Sequence, residues 1–372
     1  MQLSLLQENL KTALDHVSRF VSLKSQLPIL GNLLLTTSGG RLIISATNLE
    51  VGISYSLGAK IDREGSICLP AREITEFVSY LTPGKIDLEL VDTRLVLTTP
   101  KTQSSFTTVS PSEFPSIPAP DPTSLFSLDY TLLSQAVSQV SFAAASDDSR
   151  PVLTSLLCQF QSDHLLFAAT DGFRLSLSDH KLVNPLTLPA NTESTFLIPA
   201  KTLTEVVKLS KAAQSIQLGL TPDRHQMVFI LDDIQLVSRL IQGDYPDYQR
   251  IMPESFATRV FLNRDDLAQS VKIASVFASQ SANVIRLILK SDHVEITANA
   301  PQVGQNKVSV DARVEGEPLE IAFNYKFVND FLSVCKGQEL SISLNEPLTP
   351  ALFSDQSVPH FTHIIMPVRI QD

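Results

Sequence analysis

The sequence is poor in cysteine, in positive charge and in long apolar runs. Its 372 residues hold three cysteines, Cys68, Cys158 and Cys335. They lie far apart in apolar patterns at no metal-ligand spacing, which predicts buried free thiols in a reducing compartment rather than a disulfide framework. No apolar run approaches the about 18 residues that cross a membrane. Met1-Gln2-Leu3 opens without the basic stretch of a secretory signal. A soluble, cytoplasmic chain is expected. Also missing are a glycine-rich phosphate loop, an H-E-x-x-H, a G-x-S-x-G and a paired C-x-x-C. The seven histidines show no ligand spacing, and His164 and His293 occupy equivalent turn positions, which suits a structural role. Asp147-Asp148, Asp232-Asp233 and Asp265-Asp266 are adjacent acidic pairs at turns or helix starts. Neighbours on a strand point to opposite faces, a poor geometry for two-metal chemistry. No catalytic centre, metal or cofactor is expected. The net charge of −10 argues at face value against nucleic acid.

What is present is repetition. Over Ser127–Ala143, Leu128, Leu132, Leu133, Ala136, Val137 and Val140 recur at spacings of three and four, the apolar face of a helix, with Asp129 placed as its N-cap. Leu5, Leu10, Ala13, Leu14 and Val17 repeat the phrase near the N-terminus, and Leu262, Leu267, Ser270, Val271 and Ala274 repeat it again. Each third also has a second strand-then-helix unit: Ile67–Val78, Leu197–Val207 and Ile321–Leu332. Between the two helices a strand ends in a small-residue corner, at Ala46-Thr47, Ala169-Thr170 and Ala298-Asn299. Leu5 and Leu128 stand 123 residues apart, as do Ala46 and Ala169. These matches define an internal threefold repeat, of order helix, strands, helix, strands.

Length agrees, since a single core seldom grows past roughly 250–300 residues. With 43% hydrophobic residues, each third can bury its own core. The first third, 1–121, has strands at 33–35, 41–46, 51–57, 85–91, 94–99 and 104–109, with Gly39-Gly40 and Pro83-Gly84 as turns. Five prolines between Ser110 and Pro122 form a stiff extended linker. The second third, 122–253, ends in the apolar, aromatic stretch Gly243–Pro253, which suggests a segment held against the protein surface. The last third, 254–372, ends in an apolar strand around Thr362–Ile370, expected to be an edge strand or a groove wall. The six repeat helices, taken as 7–20, 71–80, 130–143, 200–211, 264–278 and 325–336, hold ten Lys/Arg against eight acids. They are the mildly basic part of an acidic molecule. An α+β scaffold of three repeated domains without an active site predicts a binding protein.

Leu27-Pro28-Ile29-Leu30-Gly31-Asn32, Thr47-Asn48-Leu49-Glu50, Ala169-Thr170-Asp171-Gly172-Phe173-Arg174-Leu175, Tyr245-Pro246-Asp247-Tyr248 and Met366-Pro367-Val368-Arg369 stand in this order along the chain. In these motifs, over essentially its whole length, the sequence resembles the bacterial sliding clamp, the beta subunit of the replicative DNA polymerase. The resemblance implies three domains of the DNA-clamp fold, each with two helices and antiparallel sheets. It implies a homodimer closed head to tail into a ring around double-stranded DNA, held without reading sequence. The protein would be non-catalytic, tethering the polymerase, with clamp loader and repair proteins docking through short linear motifs.

The same resemblance carries roles to individual residues. DNA-contacting positions fall on Lys24, Arg72, Arg150 and Lys201. A hydrophobic peptide-binding cleft falls on Leu153, Thr170, Gly172, Phe173, Arg174, Leu175, Pro246, Arg250, Ile251, Leu348, Pro350, Ile364, Met366, Pro367, Val368 and Arg369. The dimer contact falls on Phe106 against Val276 and Phe277. Phe173 stands where histidine is common in the family and Val368 where methionine is common, both of which bear on peptide preference, and Gln371-Asp372 run past the usual end. Ser104-Ser105 and Gln305-Asn306 replace frequent charges, which implies a weaker or more hydrophobic dimer. The rival readings are a metal-dependent nuclease or phosphatase using the acidic pairs, and a repeat scaffold that binds only proteins.

Overall fold

The computed structural model describes all residues except 23–24, 190–193, 210–213 and 370–372. The N-terminal repeat runs β1 (Gln2–Leu6), α1 (Gln7–Val17), β2 (Asn32–Ser38), β3 (Arg41–Thr47), β4 (Val51–Gly58), β5 (Lys60–Arg63), β6 (Ser66–Pro70), α2 (Ala71–Tyr80), β7 (Lys85–Val91), β8 (Arg94–Thr98) and β9 (Gln103–Thr107). The central repeat runs β10 (Phe126–Asp129), α3 (Tyr130–Val140), β11 (Ser155–Phe160), β12 (His164–Thr170), β13 (Arg174–Lys181), β14 (Thr195–Pro199), α4 (Ala200–Leu209), β15 (Ser215–Leu220), β16 (Gln226–Leu231) and β17 (Ile234–Arg239). The last runs β18 (Thr258–Asn263), α5 (Arg264–Ala278), β19 (Val284–Leu289), β20 (His293–Ala300), β21 (Gly304–Glu315), β22 (Glu320–Asn324), α6 (Tyr325–Val334), β23 (Glu339–Leu344), β24 (Ala351–Asp355) and β25 (Phe361–Ile365). The expected order of helix, strands, helix, strands is present three times. The helices at 7–20, 130–143 and 325–336 are shorter than expected, the first two closing in a 3-10 turn, at 18–20 and 141–143, and the last ending at Val334; the end of the one at 200–211 lies outside the described residues.

Two compact units divide the chain, one of residues 1–131, 187–192 and 205–240, the other of 132–186, 193–204 and 241–372. The first holds a five-stranded sheet, β5-β1-β7-β8-β9, and an eight-stranded sheet, β10-β15-β16-β17-β4-β3-β2-β6. The second holds a twelve-stranded sheet, β14-β11-β12-β13-β25-β24-β23-β18-β21-β20-β19-β22. Sheets therefore run across repeat boundaries: β4 pairs with β17, and β13 with β25.

In the first unit, Leu10, Ala13, Leu14 and Val17 are the buried stripe of α1. Each fully buried leucine contributes about 2 kcal/mol. The Gln7 side chain, also buried, donates to Val78 O at 2.8 Å and ties α1 to α2. The proline linker is pinned to this unit, with Asp121 N donating to Leu220 O at 2.7 Å and Gln235 Nε2 to Pro118 O at 3.0 Å. In the second unit Leu267, Val271, Val328 and Phe331 pack with Ile285, Ile296, Phe323 and Phe353 in one core. The three cysteines are buried and unbridged, and burial pushes the Cys68 thiol up to about 11.

One expectation needs correcting. The C-terminal apolar strand is not an edge: β25 lies inside the twelve-stranded sheet, paired on both sides, with β13 and β24. Its apolar end is buried on both faces, Ile364 in one apolar cluster and Ile365 in another. Among the described residues no helix is long and apolar enough to cross a membrane.

Candidate functional site

The corner between β12 and β13 is built by its own side chains. Thr170 Oγ1 donates to Arg174 O at 2.6 Å and accepts from Gly172 N at 3.1 Å. Asp171 Oδ1 accepts from Phe173 N at 2.9 Å and Arg174 N at 3.1 Å. Gly172 takes φ +92°, which favours glycine. Met366 N donates to Phe173 O at 2.9 Å, so the segment after β25 continues the pairing along the corner. The turn thus holds Phe173 out from the surface at 62% exposure.

Alternation then divides β13. Leu175 faces the apolar cluster of Leu157, Leu166, Ala168, Leu177, Leu197 and Ile364. In register, Leu175 sits opposite Ile364, and Ile364 opposite Leu352. Tyr245, Tyr248 and Met252 of the second linker pack on the same cluster. Close in sequence to cluster residues Leu175, Met252 and Leu352, the large apolar side chains of Phe173, Ile251 at 40% and Leu348 at 59% are left in water. Leu153 and Thr170 are buried, Met366, Pro367 and Val368 half-buried, and Pro246, Arg250 and Arg369 exposed. Arg250 pairs with Asp247 at 2.8 Å. An apolar floor with an exposed apolar rim and few polar groups suits a short apolar segment better than a charged small molecule. Burial raises the Tyr245 hydroxyl well above the ordinary tyrosine value and raises that of Tyr248, so both stay neutral.

Arg174 is placed differently from its expected role. Its side chain points to the opposite, helix-covered face, where Nε bonds Asp171 Oδ2 at 3.0 Å, Nη1 bonds Asp330 Oδ2 at 2.6 Å and Nη2 donates to Phe142 O at 2.6 Å. The guanidinium also lies 4.5 Å from the Phe327 ring centroid. Arg174 therefore ties the corner to Asp330 and Phe142 on the helix-covered face. Phe142, Phe327 and Asp330 were not anticipated from sequence, because no local spacing connects them to the corner. Tyr245 and Tyr248 were legible as ends of the Tyr245-Pro246-Asp247-Tyr248 motif, and Leu352 was not anticipated.

The basic positions separate. Arg72 and Lys201 are exposed second residues of α2 and α4. Arg150 lies over the corner, its Nη2 donating to Asp171 O at 3.4 Å. Lys24 lies outside the described residues, as do Gln371 and Asp372. Phe106 is on β9, an edge strand, its ring 5.3 Å from Phe77. On α5, Val276 is 61% exposed and Phe277 half-buried.

Known proteins match this architecture along its length. Three domain models of the DNA polymerase III beta subunit fit in order: the N-terminal domain over residues 1–118, the central domain over 127–247 and the C-terminal domain over 249–369. This chain belongs to the DNA polymerase III beta subunit family. The beta sliding clamp of Synechococcus elongatus is 32% identical, with all of both chains covered. The crystal structure of the DNA polymerase sliding clamp from Bacillus subtilis matches at TM-score 0.93 and 26% identity, covering all of both chains. That of the DNA polymerase III beta subunit from Thermotoga maritima matches at TM-score 0.91 and 27% identity, again over both whole chains. Within the family's frame, the corner and β13 fall in the central domain. Leu348 and Ile364–Arg369 fall in the C-terminal one.

Proposed function

We propose that this member of the sliding-clamp family is a non-catalytic processivity factor, two copies closing head to tail into a ring around duplex DNA. The observation that carries this reading is the unbroken match of all three repeated domains to the family. The proposed domains are 1–121, 122–253 and 254–372. A ring tethers a polymerase by raising its effective concentration at the primer end. It must slide, so it touches phosphates without reading bases, through scattered cations rather than a tight docking site. Lys24, Arg72, Arg150 and Lys201 are proposed for that role. The acidic remainder of the molecule discourages DNA from binding elsewhere.

The apolar floor and rim around Leu175, Ile364, Phe173, Ile251 and Leu348 would receive short peptides with apolar anchors from polymerase, loader and repair proteins. Leu153, Thr170, Gly172, Pro246, Arg250, Pro350, Met366, Pro367, Val368 and Arg369 complete the proposed cleft. Met366 supplies adaptable packing. For ring closure, Phe106 on an edge strand and the exposed Val276 beside Phe277 on α5 are the apolar patches that a second copy would cover.

The test is retention on nicked circular DNA after incubation with clamp loader and ATP. The expected result is a protein held on circles and lost when the circle is cut. A protein that never stays on circles and sediments as a monomer would replace the ring with a protein-only scaffold. Sedimentation across salt also tests the interface: an apolar contact predicts a dimer that does not weaken as salt rises.

A further inference from the structure

The threefold repeat brings out a third cation. Helices α2, α4 and α6 each start directly at the end of a strand, and each carries an exposed basic residue at its second position: Arg72, Lys201 and Lys326. Two residues on, Ile74, Leu203 and Val328 are all buried. At about 100° per residue, the cation therefore projects from the side of the helix turned away from its core. The position is electrostatically unfavourable. The N-terminal turn of a helix carries partial positive charge and favours acids. Helices α1 and α5 obey that rule, with Glu8 and with Asp265 and Asp266 in their first turns. Helices α4 and α6 break it, with Lys201 and Lys326 and no acid in the first turn, while α2 sets Glu73 beside Arg72 at the same place.

Nor are the three cations used for local stability. Each has a carboxylate four residues on, the spacing of a helical ion pair: Glu76, Glu205 and Asp330. Those acids are engaged elsewhere. Glu205 contacts Lys208 at 2.7 Å and Arg19 at 3.7 Å. Asp330 is held by Arg174 at 2.6 Å. Glu76 accepts from the Tyr80 hydroxyl at 3.3 Å. Among the described residues none of the three cations has an ion-pair partner. A cation kept exposed, outward and unpaired against its own helix dipole, three times over, is placed for a polyanion that comes from outside.

We propose that Lys326 is a phosphate-contacting residue of the encircled duplex, the third member of a set with Arg72 and Lys201. This rests on the clamp reading. The corner's own wiring supports it: Arg174 holds Asp330, the carboxylate four residues on from Lys326.

The test uses the full-length protein and a short fluorescent linear duplex, with anisotropy read over a range of salt. Loss of one phosphate contact lowers the slope of log affinity against log salt by about 0.9. Lys326→Gln is expected to weaken binding several-fold and lower that slope, while Lys326→Arg restores both. Lys290→Gln removes the same charge from the exposed turn between β19 and β20 and is expected to leave them unchanged. The melting temperature of Lys326→Gln is expected to stay level or rise, because an unfavourable charge leaves the helix start. Lys326→Gln binding as the parent does would overturn the proposal and leave the clamp reading standing. So would weakened binding that comes with a fall in melting temperature, or an equal loss in Lys290→Gln. A parent protein with no salt-dependent duplex binding would bring down the clamp reading and this inference together.

Discussion

The two junctions where one repeat's sheet passes into the next use one corner and reach different surfaces. At the first, Thr47 Oγ1 donates to Val51 O and accepts from Leu49 N, while Asn48 Oδ1 accepts from Glu50 N and Val51 N. At the second, Thr170 and Asp171 make the same four bonds with Arg174, Gly172 and Phe173. The two part at the second residue of the outgoing strand and at the linker that packs on it. At the first, Gly52 stands where the second has Leu175, and the linker side chain of Ile117 fills the space a Cβ would take, 3.2 Å from its ideal position. At the second, the linker packs Tyr245, Tyr248 and Met252 against the floor but leaves Phe173, Ile251 and Leu348 in water. A repeated corner thus keeps apolar side chains exposed where its own linker stops short of covering them.

The comparison breaks most sharply at Arg174, whose counterpart at the first junction is Val51. Arg174→Ala strips Asp171 and Asp330 of their shared partner. Losing one partner of a buried pair costs roughly 3–5 kcal/mol; because Asp330 is more than a third exposed, about 2–3 kcal/mol is expected here. Urea unfolding measures it, and a loss equal to that of Val51→Ala would mean that the network adds nothing.

Acid should loosen the second junction more than the first. Burial lowers His363 on β25 to about 3 and His180 on β13 to about 4, and also lowers His360. Near the first, among the described residues, burial lowers His16, beside Tyr55 of β4. A histidine depressed in the fold gives stability that is fully present above its unfolded value of about 6.5 and lost as pH falls toward the folded value. Each such histidine contributes up to about 1.4 kcal/mol per pH unit in that window. Urea midpoints are therefore expected to be level near pH 8 and to fall from pH 6.5 to 4. His363→Leu should flatten the fall by one proton, and an unchanged slope would show that His363 does not carry it.

Exposure at the rim is tested by Phe173→Ala. Little stability is at stake for a side chain so exposed, but truncating a peptide anchor should cost about 1–2 kcal/mol of affinity, roughly tenfold. Anisotropy with a labelled peptide from a polymerase tail reads this, and a large change in unfolding without a change in binding would make Phe173 structural. The smallest effects come from the third residue of each corner, and they should differ in size or sign. Gly172→Ala forces a Cβ into φ +92° and should cost about 1 kcal/mol, whereas Leu49→Gly relieves φ +74° and should cost less or stabilise. Losses of the same size at both sites would mean that the two corners are not equivalent.

Much of this architecture is legible in the sequence. The apolar stripes of α1, α3 and α5, the glycine turns and the proline linker are local patterns, each set by residues a few positions apart. The corner motif is legible too, since Thr, Asp and Gly satisfy their own turn. A motif read along the chain puts Arg174 in the cleft with its neighbours, because it does not say which face a strand residue takes. The chain's last strand reads as an edge because its two partners, β13 and β24, are invisible in its own sequence.

The sequence by itself determined the threefold order of helices and strands and the charge carried at the start of each second helix, because periodicity and composition are short-range properties. Only the tertiary structure decided that Arg174 turns toward Asp330 and that β25 is central. The same holds for the junctions, where Ile117 covers one corner while Phe173 stays open at the other. Register and packing join residues that no local spacing connects, some more than a hundred positions apart, and no local pattern encodes which surface a side chain will meet.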